Sequence, residues 1–137
     1  MSKIESMLIE HESMVLHAYE DTVGSVSIGV GRNLDSLGIS KDEALYMLAN
    51  DIKRCQDEVS GAFPWFADLS PVRQDVMVML CFNLGLTRLR GFRRALGHMK
   101  VGSYCEAADE FLRSKWAGQV GNRAVVLTNM ITQDKYP

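Results

Sequence analysis

Ile4, Met7, Leu8, His11 and Val15 fall three and four positions apart, which predicts a short amphipathic helix over residues 3–14. Beyond Leu16 the period shortens to two. Val26, Ile28 and Val30 alternate with Ser25, Ser27, Gly29 and Gly31, the pattern of a strand with one covered face. Asp21, Thr22, Val23 and Gly24 ahead of it supply turn chemistry, so a small hairpin region is expected over 16–38, closed by Gly38. Helical spacing returns after Ser40, where Glu43 three residues on completes a capping-box sequence. Leu45, Leu48, Ile52, Cys55 and Val59 mark one face of a helix over 40–60, long enough to join a small lobe to a larger body.

The second half reads as helical. Ser70 followed by Pro71 is a helix start, because a proline at the first helical position gives up an N–H that has no partner there anyway. The run from Val76 to Phe82 is apolar on every face and predicts a helix enclosed by protein, stopped at Gly85. A short helix is expected from Phe92 to Met99. A second capping box, Ser103 with Glu106, predicts one running to about Lys115, and a last one spans 122–131. Phe63, Trp65 and Phe66 read as loop anchors, and Trp116 as a core anchor. The fold class is therefore α+β, mainly α, in a single domain: a β lobe at about 16–38, a linking helix at about 40–60, and a helical lobe formed by 63–137 with the N-terminal helix.

Composition narrows the function classes. The chain has 137 residues, 47% hydrophobic and 23% charged, an ordinary globular balance. No apolar run approaches the length that spans a bilayer, so stable membrane insertion is not expected. Acids interrupt the N-terminal apolar stretch, which argues against a signal peptide and for synthesis in the cytoplasm. A net charge of −2 supplies no global field toward nucleic acid. Arg88, Arg90, Arg93 and Arg94 form a local basic cluster, read as a solvated face. Cys55, Cys81 and Cys105 are an odd number at wide spacing, without a metal-binding or disulfide pattern. Glu10-His11-Glu12 lacks the second histidine that a zinc helix needs at position 15, which is Val15. No metal or cofactor is expected.

Two carboxylates carry the chemical interest. Glu12 falls near the C-terminal end of its helix, where the dipole disfavours negative charge, so its presence asks for another reason. Asp21 stands at the turn into the hairpin and would serve equally as a turn former. Ser27 is the polar residue of the strand behind them. A carboxyl group that donates a proton, opposite one that stays charged and holds water, is what glycosidic cleavage requires.

These residues, in their order, resemble a known family. Glu12, then Tyr19-Glu20-Asp21-Thr22-Val23-Gly24, then Ser27-Ile28-Gly29-Val30-Gly31-Arg32-Asn33-Leu34, is similar to the active-site segment of the phage-type lysozymes, endolysins that cut peptidoglycan glycan. The likeness continues through 40–44, 69–73, 82–85, Gly91-Phe92, 106–108, Lys115-Trp116 and 119–123. It implies a lysozyme-like fold with its cleft between the lobes. It further implies hydrolysis of the β-1,4 bond between N-acetylmuramic acid and N-acetylglucosamine, with inversion. Glu12 would be the general acid, and Asp21 and Ser27 would hold the water. Arg123 would orient Glu12, although a cation there favours the charged carboxylate, so the proton must be secured by burial or by bound glycan.

Phe82 and Asn83 correspond to cleft positions, while Asn83 reads equally as a helix-end cap. Arg32 would meet substrate carboxylates or lie in solvent. The expected partner is the peptidoglycan glycan strand, met by a monomer in the periplasm or wall after release by another factor. A lysozyme-like module that binds glycan without cutting it is the alternative. Two positions depart from the family: Ser27 stands where threonine is usual, and Ser13 where glycine commonly follows the glutamate.

Overall fold

A computed structural model describes all residues, Met1–Pro137. The chain divides into two compact units, Met1–Met47 and Leu48–Pro137.

The first unit opens with helix α1 (Lys3–Glu12). Ser2 and Glu5 form its capping box: the Glu5 N–H donates to Ser2 Oγ at 3.2 Å, and the Ser2 N–H to Glu5 Oε2 at 2.7 Å. The helix stops at Ser13, whose N–H donates to the Ile9 carbonyl at 2.9 Å and whose φ is 67°. Three antiparallel strands follow in the order β1 (Val15–Glu20), β2 (Val26–Gly29), β3 (Arg32–Asn33). The expected hairpin thus carries a third strand. Val15 pairs with Gly29 and Tyr19 with Ser27, with an irregularity between them, and β3 adds Ser27–Asn33 and Ile28–Arg32 pairs. Asn33 then caps α2 (Leu34–Leu37), a single turn the sequence pattern did not reveal.

Two details differ from expectation. Alternation favoured Val26 and Ile28 as the covered face, yet Ser27 is the buried residue, 3% exposed, and its neighbours are half-buried. β2 is the middle strand, paired with β1 along one edge and β3 along the other. The second detail concerns α3 (Lys41–Ala62), which begins at the expected Ser40–Glu43 box. Of its apolar face, Cys55 and Val59 are buried, whereas Leu45, Leu48 and Ile52 remain exposed. Spacing tells which residues share a face but not how far along that face anything packs.

The second unit holds the hydrophobic core, from Cys55 to Ile131. A 3₁₀ turn over Pro64–Asp68 sets the Phe63 and Phe66 anchors into it. Ser70 and Pro71 start α4 (Pro71–Leu84) as expected, and Val76, Met77, Val78, Leu80 and Cys81 make it the buried helix. After it come α5 (Leu86–Arg90), α6 (Arg93–Lys100), α7 (Tyr104–Leu112), α8 (Lys115–Val120) and α9 (Asn122–Gln133). Helix α7 packs on both α6 and α9, and α9 on α4. Phe92, Phe111 and Trp116 form an aromatic cluster with centroids 5.4–6.5 Å apart. The second capping box does not form: the Ser103 side chain caps nothing, and its N–H donates to the His98 carbonyl at 2.9 Å. That helix also ends early, because Ser114 starts α8 by accepting from the Ala117 N–H. No helix is long and apolar enough to cross a membrane.

Candidate active site

Glu12, Asp21 and Ser27 all belong to the first unit, on three different pieces of backbone. Glu12 is the last residue of α1. The positive φ of Ser13 breaks the helix immediately after it and turns the chain toward β1. The Glu12 carboxylate lies over Gly31, in the turn between β2 and β3. A Cβ built on Gly31 would stand 3.2 Å from Glu12 Oε2, and Gly31 has a φ of 71°, so two independent constraints select glycine there.

Asp21 opens the β1–β2 turn and does form it. Its Oδ1 accepts from the N–H groups of Val23 and Ser25, both at 2.9 Å, and its own N–H donates to the Ser25 carbonyl at 2.8 Å. Both side-chain bonds go to one oxygen, so the turn orients the carboxylate and leaves Oδ2 outside it. Tyr19 is opposite Ser27, and Asp21, just past the end of β1, meets Ser25 through its N–H, which places Asp21 at the turn end of the hairpin whose second strand carries Ser27. Asp21 is thus the turn former that its place in the sequence allows.

Arg32 is neither free in solvent nor without partners. Its guanidinium grips Glu43 through two parallel bonds of 2.9 Å, and Nη1 also donates to the Gly38 carbonyl at 3.1 Å. Glu43 Oε1 accepts in addition from the Ser40 N–H at 2.8 Å. The Arg32 fork first, and then the Ser40 backbone, draw the Glu43 carboxyl down to about 2. Sequence reasoning saw Glu43 only as a capping residue; its distance of eleven positions from Arg32 concealed the pairing.

In the second unit, Phe82 is 46% exposed and lines a hollow of about 170 Å³ together with Arg123, Leu48 and Ile52. Arg123 stands exposed on the first turn of α9. Asn83 is not the cap of α4, which is closed by the Gly85 N–H donating to the Cys81 carbonyl at 2.8 Å. Its Oδ1 instead accepts from the buried indole N–H of Trp116 at 2.8 Å, leaving its amide N–H groups outside that bond. Trp116 is the core anchor expected of it, 3% exposed. No three His, Cys, Asp or Glu side chains gather as a metal site.

Glu12 at a helix end and Asp21 at the turn of the adjoining hairpin put two carboxyl groups in the first unit, and paired carboxyls are what glycoside hydrolases use. The sequence model of the phage lysozyme family matches residues 9–130, a span that takes in both units and almost all of the chain. The chain belongs to the phage lysozyme family, a family of glycoside hydrolases whose reaction is the hydrolysis of bacterial peptidoglycan.

Proposed function

We propose that this protein cleaves the β-1,4 bond between N-acetylmuramic acid and N-acetylglucosamine by an inverting mechanism. Glu12 protonates the glycosidic oxygen as the bond to it breaks. Asp21 and Ser27 hold a water on the opposite face of the sugar, and the water's oxygen attacks the anomeric carbon as its proton passes to the Asp21 carboxylate. Inversion needs the two carboxyls about 6.5–9.5 Å apart, leaving room for that water. The observation that supports this reading is the Asp21 turn at the end of the hairpin that carries Ser27, with the Asp21 carboxylate oriented through one oxygen while the other stays outside the turn. Phe82 and Asn83 would contact the glycan, with the protein acting as a monomer in the wall or periplasm after release by another factor.

The test is digestion of purified peptidoglycan sacculi. Wild type releases muropeptides with reducing muramic ends, and NMR of the first products shows the α-anomer. Glu12→Gln lowers the rate by about 10²–10⁴-fold, the contribution usual for a general acid. Anhydro-muramic ends would replace the water-attack step by intramolecular transglycosylation. Glycan binding without cleavage by the wild type would make the chain a binding module.

A further inference from the structure

We infer that Arg32 and Glu43 are positioning residues for Glu12: their clasp holds the turn on which the acid rests. This rests on the reading of Glu12 as the general acid. Glu12 Oε2 lies 3.2 Å from the point where a Cβ on Gly31 would stand, so the carboxylate passes close to that turn and a shift of the turn changes the room it has. Little else in the turn can hold it. Gly29 and Gly31 both have φ of 71°, and glycines resist displacement least of all residues. Strand β3, which follows, is only two residues long and shares just two pairs with β2.

Arg32 is the residue joined directly to Gly31, and it is the one tied down. Three bonds leave its guanidinium: two to Glu43 at 2.9 Å and one to the Gly38 carbonyl at 3.1 Å. Glu43 in turn is bound into the first turn of α3, accepting from the Ser40 N–H at 2.8 Å while its own N–H donates to Ser40 Oγ at 3.1 Å. The first turn of α3 thus serves as the base to which the Gly29–Gly31 turn is fastened. A forked pair constrains both distance and orientation, which a single-point contact does not. An error of about 1 Å at a reacting group can cost about 100-fold in rate. The clasp therefore acts on catalysis through geometry, without touching the substrate.

The experiment compares kcat and KM on soluble peptidoglycan fragments for wild type, Arg32→Lys, Arg32→Ala, Glu43→Gln and Glu12→Gln, with melting temperature measured for each. For Arg32→Ala and Glu43→Gln we expect kcat to fall about 10–100-fold with KM within twofold of wild type. Arg32→Lys, which keeps a charge and one bond but not the fork, should recover part of the loss. The carboxyl ¹³C resonance of Glu12 should broaden or move in Arg32→Ala and remain near its wild-type position in Arg32→Lys. Wild-type kcat in a folded Glu43→Gln or Arg32→Ala protein, alongside an inactive Glu12→Gln, overturns the positioning role and leaves the acid assignment standing. Full activity of Glu12→Gln overturns the acid assignment, and with it any purpose for the clasp. A rise in KM at unchanged kcat would make Arg32 a substrate contact instead, and equally overturns the inference.

Discussion

Ser13→Gly is expected to stabilise this protein, against the general rule that glycine weakens a fold. Ser13 has φ 67° and ψ 165°, a region that residues carrying a Cβ rarely enter. Holding a non-glycine residue there costs about 1–3 kcal/mol. Glycine removes that strain but adds freedom to the unfolded chain, which costs about 0.5–1 kcal/mol. The Ser13 side chain is exposed, so its loss sacrifices little packing, and the backbone N–H to Ile9 survives the substitution. The balance is a gain of about 1 kcal/mol. For a chain of this length that corresponds to roughly 3–5 °C in melting temperature. Urea unfolding followed by circular dichroism measures the free energy, and amide exchange in β1 reports whether the gain is local to the first unit. A lower midpoint for Ser13→Gly, with an unchanged denaturant slope, would refute the argument that this junction is strained.

Other residues yield further expectations. Glu43 has its folded-state carboxyl drawn down to about 2 from an ordinary value near 4.5. A depressed acid of this kind stabilises the fold above its unfolded value, and the contribution fades as pH falls from about 4.5 toward 2. The stability gap between wild type and Glu43→Gln in urea should therefore be full at pH 7 and close in that acid window. Burial, followed by hydrogen bonding to Glu58, raises the Cys81 thiol to about 12. With Cys55 buried as well and Cys105 exposed, an aromatic disulfide reagent at pH 8 should label one thiol quickly and the other two only on unfolding. Asn83→Ala leaves the enclosed Trp116 N–H without its acceptor and should cost about 1–3 kcal/mol, while Asn83→Asp keeps the oxygen and loses less. Gly31→Ala puts a methyl group 3.2 Å from Glu12 Oε2 at a φ of 71°, so both stability and peptidoglycan cleavage should fall.

Much of this protein follows from short-range physics that a sequence displays. Ser2–Glu5 and Ser40–Glu43 act within one helical turn, so α1 and α3 begin where serine oxygens and backbone N–H groups meet. Ser70–Pro71 and the all-apolar run behind it suffice for the buried helix α4. Collinear motifs likewise pointed to the family. The failures share a cause. Ser103–Glu106 has the same local pattern, yet the Ser103 N–H is taken by His98, and the helix starts without its cap. Asn83 became the acceptor for an indole 33 positions away, Arg32 found Glu43 across eleven, and Ser27 rather than Val26 or Ile28 was the strand residue enclosed. Capping and periodicity are settled between residues a few positions apart, so the order of the chain is enough to determine them. Which donor meets which distant acceptor, and how far along an apolar face cover extends, depends on competition among partners that only the folded backbone brings together.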